Sequence, residues 1–202
     1  SMRPLESLRT RWEECIGKPI EEGAWTTLLE RVPRVSRNAR FRLNNFYILH
    51  HAYLLPDKIN RYFHINDAKF PRCNVIGVDF IHMLWRCLHL TSFWGAIADV
   101  LADVTLRETP CTPEYCLLHW FPHTAKTKVT SKFQDLALII AKREITKTGK
   151  KARGPEVVTW CRELEKWVRC EGVTLLREAK RGRGSLEVAR AWESLVDEFQ
   201  KE

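Results

Sequence analysis

The spacing of apolar residues is helical along almost the whole chain. In "PLESLRTRWEECIG", Leu5, Leu8, Trp12 and Ile16 recur every three or four positions, which draws one face of a helix. Gly17, Pro19 and Gly23 interrupt the pattern, and "AWTTLLERV" predicts a second short helix that stops before Pro33. "SRNARFRLNNFYILHHAYLL" predicts a third, with Ser36 as N-cap and Leu43, Phe46, Tyr47 and His50 as its inward face. Pro56 opens a short helical turn, "PDKINRYF". The loop "NDAKFPRCNVIGVD" leads into "FIHMLWRC", a helix for which Asp79 is the cap.

The second half repeats the pattern. "LTSFWGAIADVLADV" turns Phe93, Ile97, Val100, Leu101 and Val104 inward, and Thr112 and Pro113 open a short helix with Tyr115, Leu117, Leu118 and Trp120 to bury. "VTSKFQDLALIIAKREIT" predicts a long helix ending near Gly149. "PEVVTWCRELEKWVRCEG" follows with Val157, Trp160, Leu164 and Trp167 inward, and "SLEVARAWESLVDEFQ" starts at Ser185. Only "RCNVIGV" has the look of a strand, and no internal repeat is present. The expected fold is all-α: a single helical domain with a small degenerate zinc-knuckle-like loop in the middle. Its expected parts are an N-terminal helical segment at 1–30, a helical domain at 31–184 with the knuckle at 70–87, and a C-terminal helix at 185–202.

Composition supports a packed core, since 45% of the 202 residues are hydrophobic and eight are Trp. No apolar run reaches the 18 residues a membrane span needs, and the first residues lack the apolar segment of a secretory signal. Seven cysteines with no framework spacing suggest no disulfides, and Cys15, Cys111, Cys116, Cys161 and Cys170, in apolar or helical surroundings, are expected to be buried reduced thiols. An intracellular protein, of cytoplasm or nucleus, is the expectation.

Charge changes the picture. The net +8 is concentrated in two blocks: residues 31–90 hold 10 basic and 3 acidic residues, and 126–183 hold 16 and 7, while the other stretches are acidic. "RVPRVSRNARFR" has five arginines in twelve residues, "KREITKTGKKARG" six cations in thirteen and "REAKRGRG" four in eight. A solvated surface would account for any one run. Three runs, the first of which opens a helix that carries Phe41 and Tyr47, point to phosphate contacts and base stacking on RNA or another single-stranded nucleic acid. The candidate contacts are Arg34, Arg37, Arg40, Arg42, Lys150, Lys151, Arg153 and Arg181.

No phosphate-binding G-x-x-x-x-G-K loop, G-x-S-x-G turn, H-E-x-x-H pair or two-metal carboxylate cluster occurs, so no catalytic residues are expected and the chain is not expected to be an enzyme. What remains is "KFPRCNVIGVDFIHMLWRC", in which Cys73, His82 and Cys87 form a zinc-like set short of one ligand. Phe70 stands where a C-x-x-C pair would have its first cysteine. His82 and Cys87 are five apart, about 140° around an ideal α-helix, so a shared ligand needs the helix to distort near Cys87. His64, His89 or a distant cysteine could be the fourth ligand; the alternative, in which Phe70 fills the space without metal, is favoured somewhat over zinc retention.

"NARFRLNNFYILHHAYLLPDKINRYF", followed by "PRCN…DFIHMLWRCLHLTSFW", resembles the carboxy-terminal segment of LINE-type (non-LTR) retrotransposon reverse transcriptase polyproteins, and "PEYCLLHWFP…LALIIAKREI…PEVVTWCRELEKWVRCEGVTLL" is similar to that family's tail. In the family a C-x(2–3)-C-x(7–8)-H-x(4)-C motif precedes an aromatic pair. Cys73, His82 and Cys87 match its second, third and fourth positions, and Phe93-Trp94 its aromatic pair. The resemblance implies a non-catalytic domain that helps hold template RNA, either an element tail or a host gene derived from one. It also implies a zinc knuckle that has lost one ligand at Phe70. The alternative is a protein-interaction module of such a host gene, with a host protein as partner.

Overall fold

A computed structural model describes residues 4–53, 55, 58, 62, 69–120 and 128–200. The helix expected over 56–63 falls mostly outside these residues, as does His64. Among the described residues the chain forms α1 (Pro4–Ile16), α2 (Glu22–Arg31), a 3-10 turn (Val32–Arg34), α3 (Ala39–Leu49), a π-helical turn (His82–Arg86), α4 (Leu88–Thr105), α5 (Pro113–Leu118), α6 (Lys128–Thr148), α7 (Val157–Lys180) and α8 (Leu186–Phe199). The fold is all-helical. "RCNVIGV" is a turn, closed by Phe70 accepting from the N–H of Asn74 and donating to Val75 O, both at 2.8 Å. No helix of the described residues is long and apolar enough to cross a membrane.

α6 is the centre of the assembly, touching α3, α4, α5, α7, α8 and the π turn. Its sequence explains this: "FQDLALIIA" is apolar nearly all round, and Phe133, Ala137, Leu138, Ile139, Ile140 and Ala141 are fully buried. One core runs from Leu8 to Phe199. Four buried tryptophans tie elements to it, because an indole N–H taken out of water needs an acceptor. Trp12 donates to Leu49 O (2.9 Å), Trp94 to Leu84 O (3.0 Å), Trp160 to Ala137 O (3.0 Å) and Trp192 to Val168 O (2.9 Å).

Three local expectations need correction. The N-cap of α3 is Asn38, whose side chain accepts from the N–H groups of Arg40 and Phe41; Ser36 instead accepts from Asn38 N–H. The buried face of α3 is Phe41, Asn44, Asn45, Ile48 and Leu49, so Leu43, Phe46 and Tyr47 are exposed. Phe41 wins the core because Trp167 packs edge-on to it at 4.9 Å and Arg143 caps its ring, while the side-chain oxygen of Asn44 accepts from the hydroxyls of Tyr53 and Thr146. Finally, all seven cysteines are free thiols, but Cys111 and Cys170 are exposed rather than buried.

Candidate functional site

The knuckle residues converge. Asp79 caps the helical segment by accepting from His82 N–H at 2.7 Å. The chain then makes a π turn, in which Cys87 N–H reaches His82 O five residues back at 3.1 Å. That bond stacks residue 87 over residue 82, where an α-helix would have splayed them. Cys87 itself leaves the helix with an extended backbone (ψ 126°), and α4 starts at the next residue. Cys73 comes from the loop: its N–H binds Phe70 O, and its Sγ lies 3.4 Å from His82 Nε2. The donor atoms of Cys73, His82 and Cys87 all lie within 4.8 Å of one another. Atoms bound to one zinc stand about 3.3–3.8 Å apart, given its bond lengths. The set therefore could hold a metal ion after a contraction of about 1 Å.

The fourth position is occupied differently. Phe70 is buried, with its ring edge-on to His82 at 6.2 Å. His89 is exposed and stands outside the donor group. Arg72 lies beside the thiols, 2% exposed. It donates to Met83 O at 2.8 Å and Ile145 O at 2.7 Å, and its guanidinium sits 5.3 Å from the Phe70 ring centre. The carbonyls of Met83 and Leu84 lose helical partners where the helix breaks at Cys87, so Arg72 and Trp94 supply donors that the break requires. Burial holds the His82 imidazole below its usual range and pushes the Cys87 thiol up. Metal would have to displace the Cys87 proton but would find His82 already neutral.

The eight cations chosen from sequence are all exposed. They do not form one run. Arg34 and Arg37 lie near the start of α6, where Arg37 pairs with Glu178; Lys150 and Lys151 follow its last turn, and Arg153 pairs with Glu156 at 2.9 Å. About 30 Å of helix separates these ends of α6. Arg40 opens α3, Arg42 borders an apolar groove on it, and Arg181 closes α7.

Sequence reasoning missed a buried polar chain. Lys142 Nζ donates to Leu117 O at 3.0 Å and lies 2.6 Å from His119 Nε2. His119 Nδ1 lies 2.9 Å from Asp135, which accepts both its 2.8 Å contacts from Arg31. These distances fit a neutral His119 that accepts from Lys142 and donates to Asp135. Burial, then the Lys142 charge, lowers His119 to about 4, and burial lowers Lys142 to about 7. The one signal in the sequence was Asp135, a charged residue inside the apolar run of α6; Lys142 stood at the head of a basic run.

No protein-family model matches the sequence, and no curated protein matches it.

Proposed function

We propose that this chain is a non-catalytic helical domain that binds RNA or other single-stranded nucleic acid, and that it is the tail of a LINE-type polyprotein or the product of a host gene descended from one. The observation that carries the reading is the exposure of every candidate cation, Arg34, Arg37, Arg40, Arg42, Lys150, Lys151, Arg153 and Arg181. Zinc is the metal that two thiols and an imidazole suit, and Cys73, His82 and Cys87 would hold it in a purely structural role. With Phe70 in the fourth place, such a site binds weakly.

The test is a titration of single-stranded RNA at two salt concentrations. Affinity falls with salt by about 0.7 log unit per log unit for each phosphate contact. Replacing Arg34, Arg37 and Arg40 together, or Lys150, Lys151 and Arg153 together, weakens binding to all sequences and flattens that dependence. No binding at low salt, or binding that neither triple variant changes, overturns the reading.

One observation favours the interaction-module reading. Leu5, Leu43 and Phe46 are each about half exposed around a groove that Leu29, Val32 and Leu49 line. An apolar patch at Trp160 and Trp167 would have served the same reading, but Trp160 is fully buried and Trp167 is half-buried against Phe41.

A further inference from the structure

A cleft of about 510 Å³ opens between the turn after α2 and the beginning of α6. Lys128, Ser131, Lys132 and Asp135 form its α6 wall; their spacing of three, four and seven puts them on one helix face. Arg34, Ser36 and Arg37 form the wall opposite. Most of the charge here is already matched. Arg31 holds both oxygens of Asp135 at 2.8 Å, Lys132 pairs with Glu171, and Arg37 pairs with Glu178. Arg34 and Lys128 are different: both are exposed, and neither makes an ion pair among the described residues. The cleft therefore carries two uncompensated cations. Lys128 and Ser131 also belong to the first turn of α6, where the helix dipole is positive.

The floor is fixed. Asp135 is 7% exposed and bound on one side by Arg31 and on the other by His119, which Lys142 locks from within the core. An anion entering the cleft meets a fixed floor whose own charge is matched, so its direct partners are the two unpaired cations above it, Arg34 and Lys128.

We infer that this cleft seats a phosphate group of the bound strand, with Arg34 and Lys128 as direct donors and the hydroxyls of Ser36 and Ser131 beside them. The inference rests on the nucleic-acid reading above. It adds Lys128, which the basic runs of the sequence did not single out, and it makes Arg34 more important than Arg40 or Arg42.

The experiment titrates a short single-stranded RNA into the full chain and into the double variant Arg34→Ala/Lys128→Ala, at about 50 and 200 mM salt. Both side chains are exposed, so the variant keeps its fold, which its circular dichroism checks. Binding weakens roughly 10-fold or more, and the salt dependence drops by about 1.4 log units per log unit, the share of two contacts. The exchange Arg34→Lys/Lys128→Arg retains most of the affinity, and Arg190→Ala on α8 leaves it unchanged. In parallel, inorganic phosphate shifts the amide signals of Ser36 and Ser131 in the parent protein and not in the double variant. If parent and double variant bind RNA equally, the cleft is overturned while the nucleic-acid reading stands. If the parent binds no RNA, both fall; phosphate shifts that persist in that case assign the cleft to a small phosphate compound instead of a strand.

Discussion

Cys87 and His82 are joined by a backbone hydrogen bond that spans five residues at 3.1 Å, and this one bond sets their side chains together. Their separation in sequence is wrong for a shared ligand on an α-helix and right for one on a π turn. The turn persists on local grounds: Asp79 caps its entry, Cys87 breaks its exit, and Arg72 and Trp94 take up the carbonyls it releases.

The first prediction concerns metal. Protein as purified carries well below one zinc per chain and keeps its helical signal in chelator, because one core built on buried Trp and Phe holds the fold. Phe70→Cys completes the donor set and brings zinc to one per chain by elemental analysis. Without zinc, the same substitution costs roughly 1–3 kcal/mol in lost apolar burial. Stoichiometric zinc in the parent protein, with unfolding in chelator, refutes this and points to His64 or His89 as fourth ligand.

Arg72 is the second. Arg72→Met keeps much of the side-chain volume but leaves the carbonyls of Met83 and Ile145 without this donor. Urea unfolding then shows a loss of roughly 2–4 kcal/mol, since bonds from a charged donor to buried acceptors are worth about 1.5–3 each before the relieved burial of charge is subtracted. A loss below about 0.5 kcal/mol would mean that the two carbonyls find other donors.

The third is a pH dependence. His119 titrates near 4 in the folded chain against 6.5 when unfolded. Between these values the unfolded chain binds the extra proton, so stability falls as pH drops through that window, by roughly 3 kcal/mol at most. Lys142, lowered to about 7 from 10.5, acts with the same sign at higher pH: stability rises from about 7 upward as the unfolded chain alone stays protonated. His119→Gln flattens the acid limb of a stability–pH curve. It does not abolish it, because burial also lowers His51 to about 4. An unchanged acid limb in the variant would remove His119 from the account.

The fourth uses two glycines. A Cβ on Gly154 would stand 2.9 Å from the backbone oxygen of His89, which cannot swing away as a side-chain tip could. Gly154→Ala lifts the basic loop from the start of α4 and costs roughly 1–3 kcal/mol. Gly23→Ala, in α2 with nothing within 4 Å of the new atom, is neutral or stabilising by up to about 1 kcal/mol. Thermal melts of the two variants separate the effects; equal melting temperatures would contradict the close approach.

The helices were legible because apolar spacing reports burial directly, and α6 and α7 follow it closely. α3 was not. It has two competing stripes, Leu43/Phe46/Tyr47 and Phe41/Ile48/Leu49, and the buried one includes Asn44 and Asn45. Which stripe faces inward depends on hydroxyls from Tyr53 and Thr146, which periodicity cannot see. The donor set was legible from Cys73, His82 and Cys87, but the π turn that unites it was visible only as a required distortion. Lys142 and Asp135 come from α6, Arg31 from α2 and His119 from the end of α5, and nothing in their local sequence announces that the four meet.

Trp12, Trp94, Trp160 and Trp192 give the fold a set of internal reporters. Each N–H is donated across a different seam: α1 to the end of α3, α4 to the π turn, α7 to α6, and α8 to α7. An indole proton exchanges with solvent only when its own seam opens. The four exchange rates, read in one spectrum, thus rank the seams by the order in which they part, and the Trp94 signal isolates the stretch beside Cys87 from the rest of the molecule.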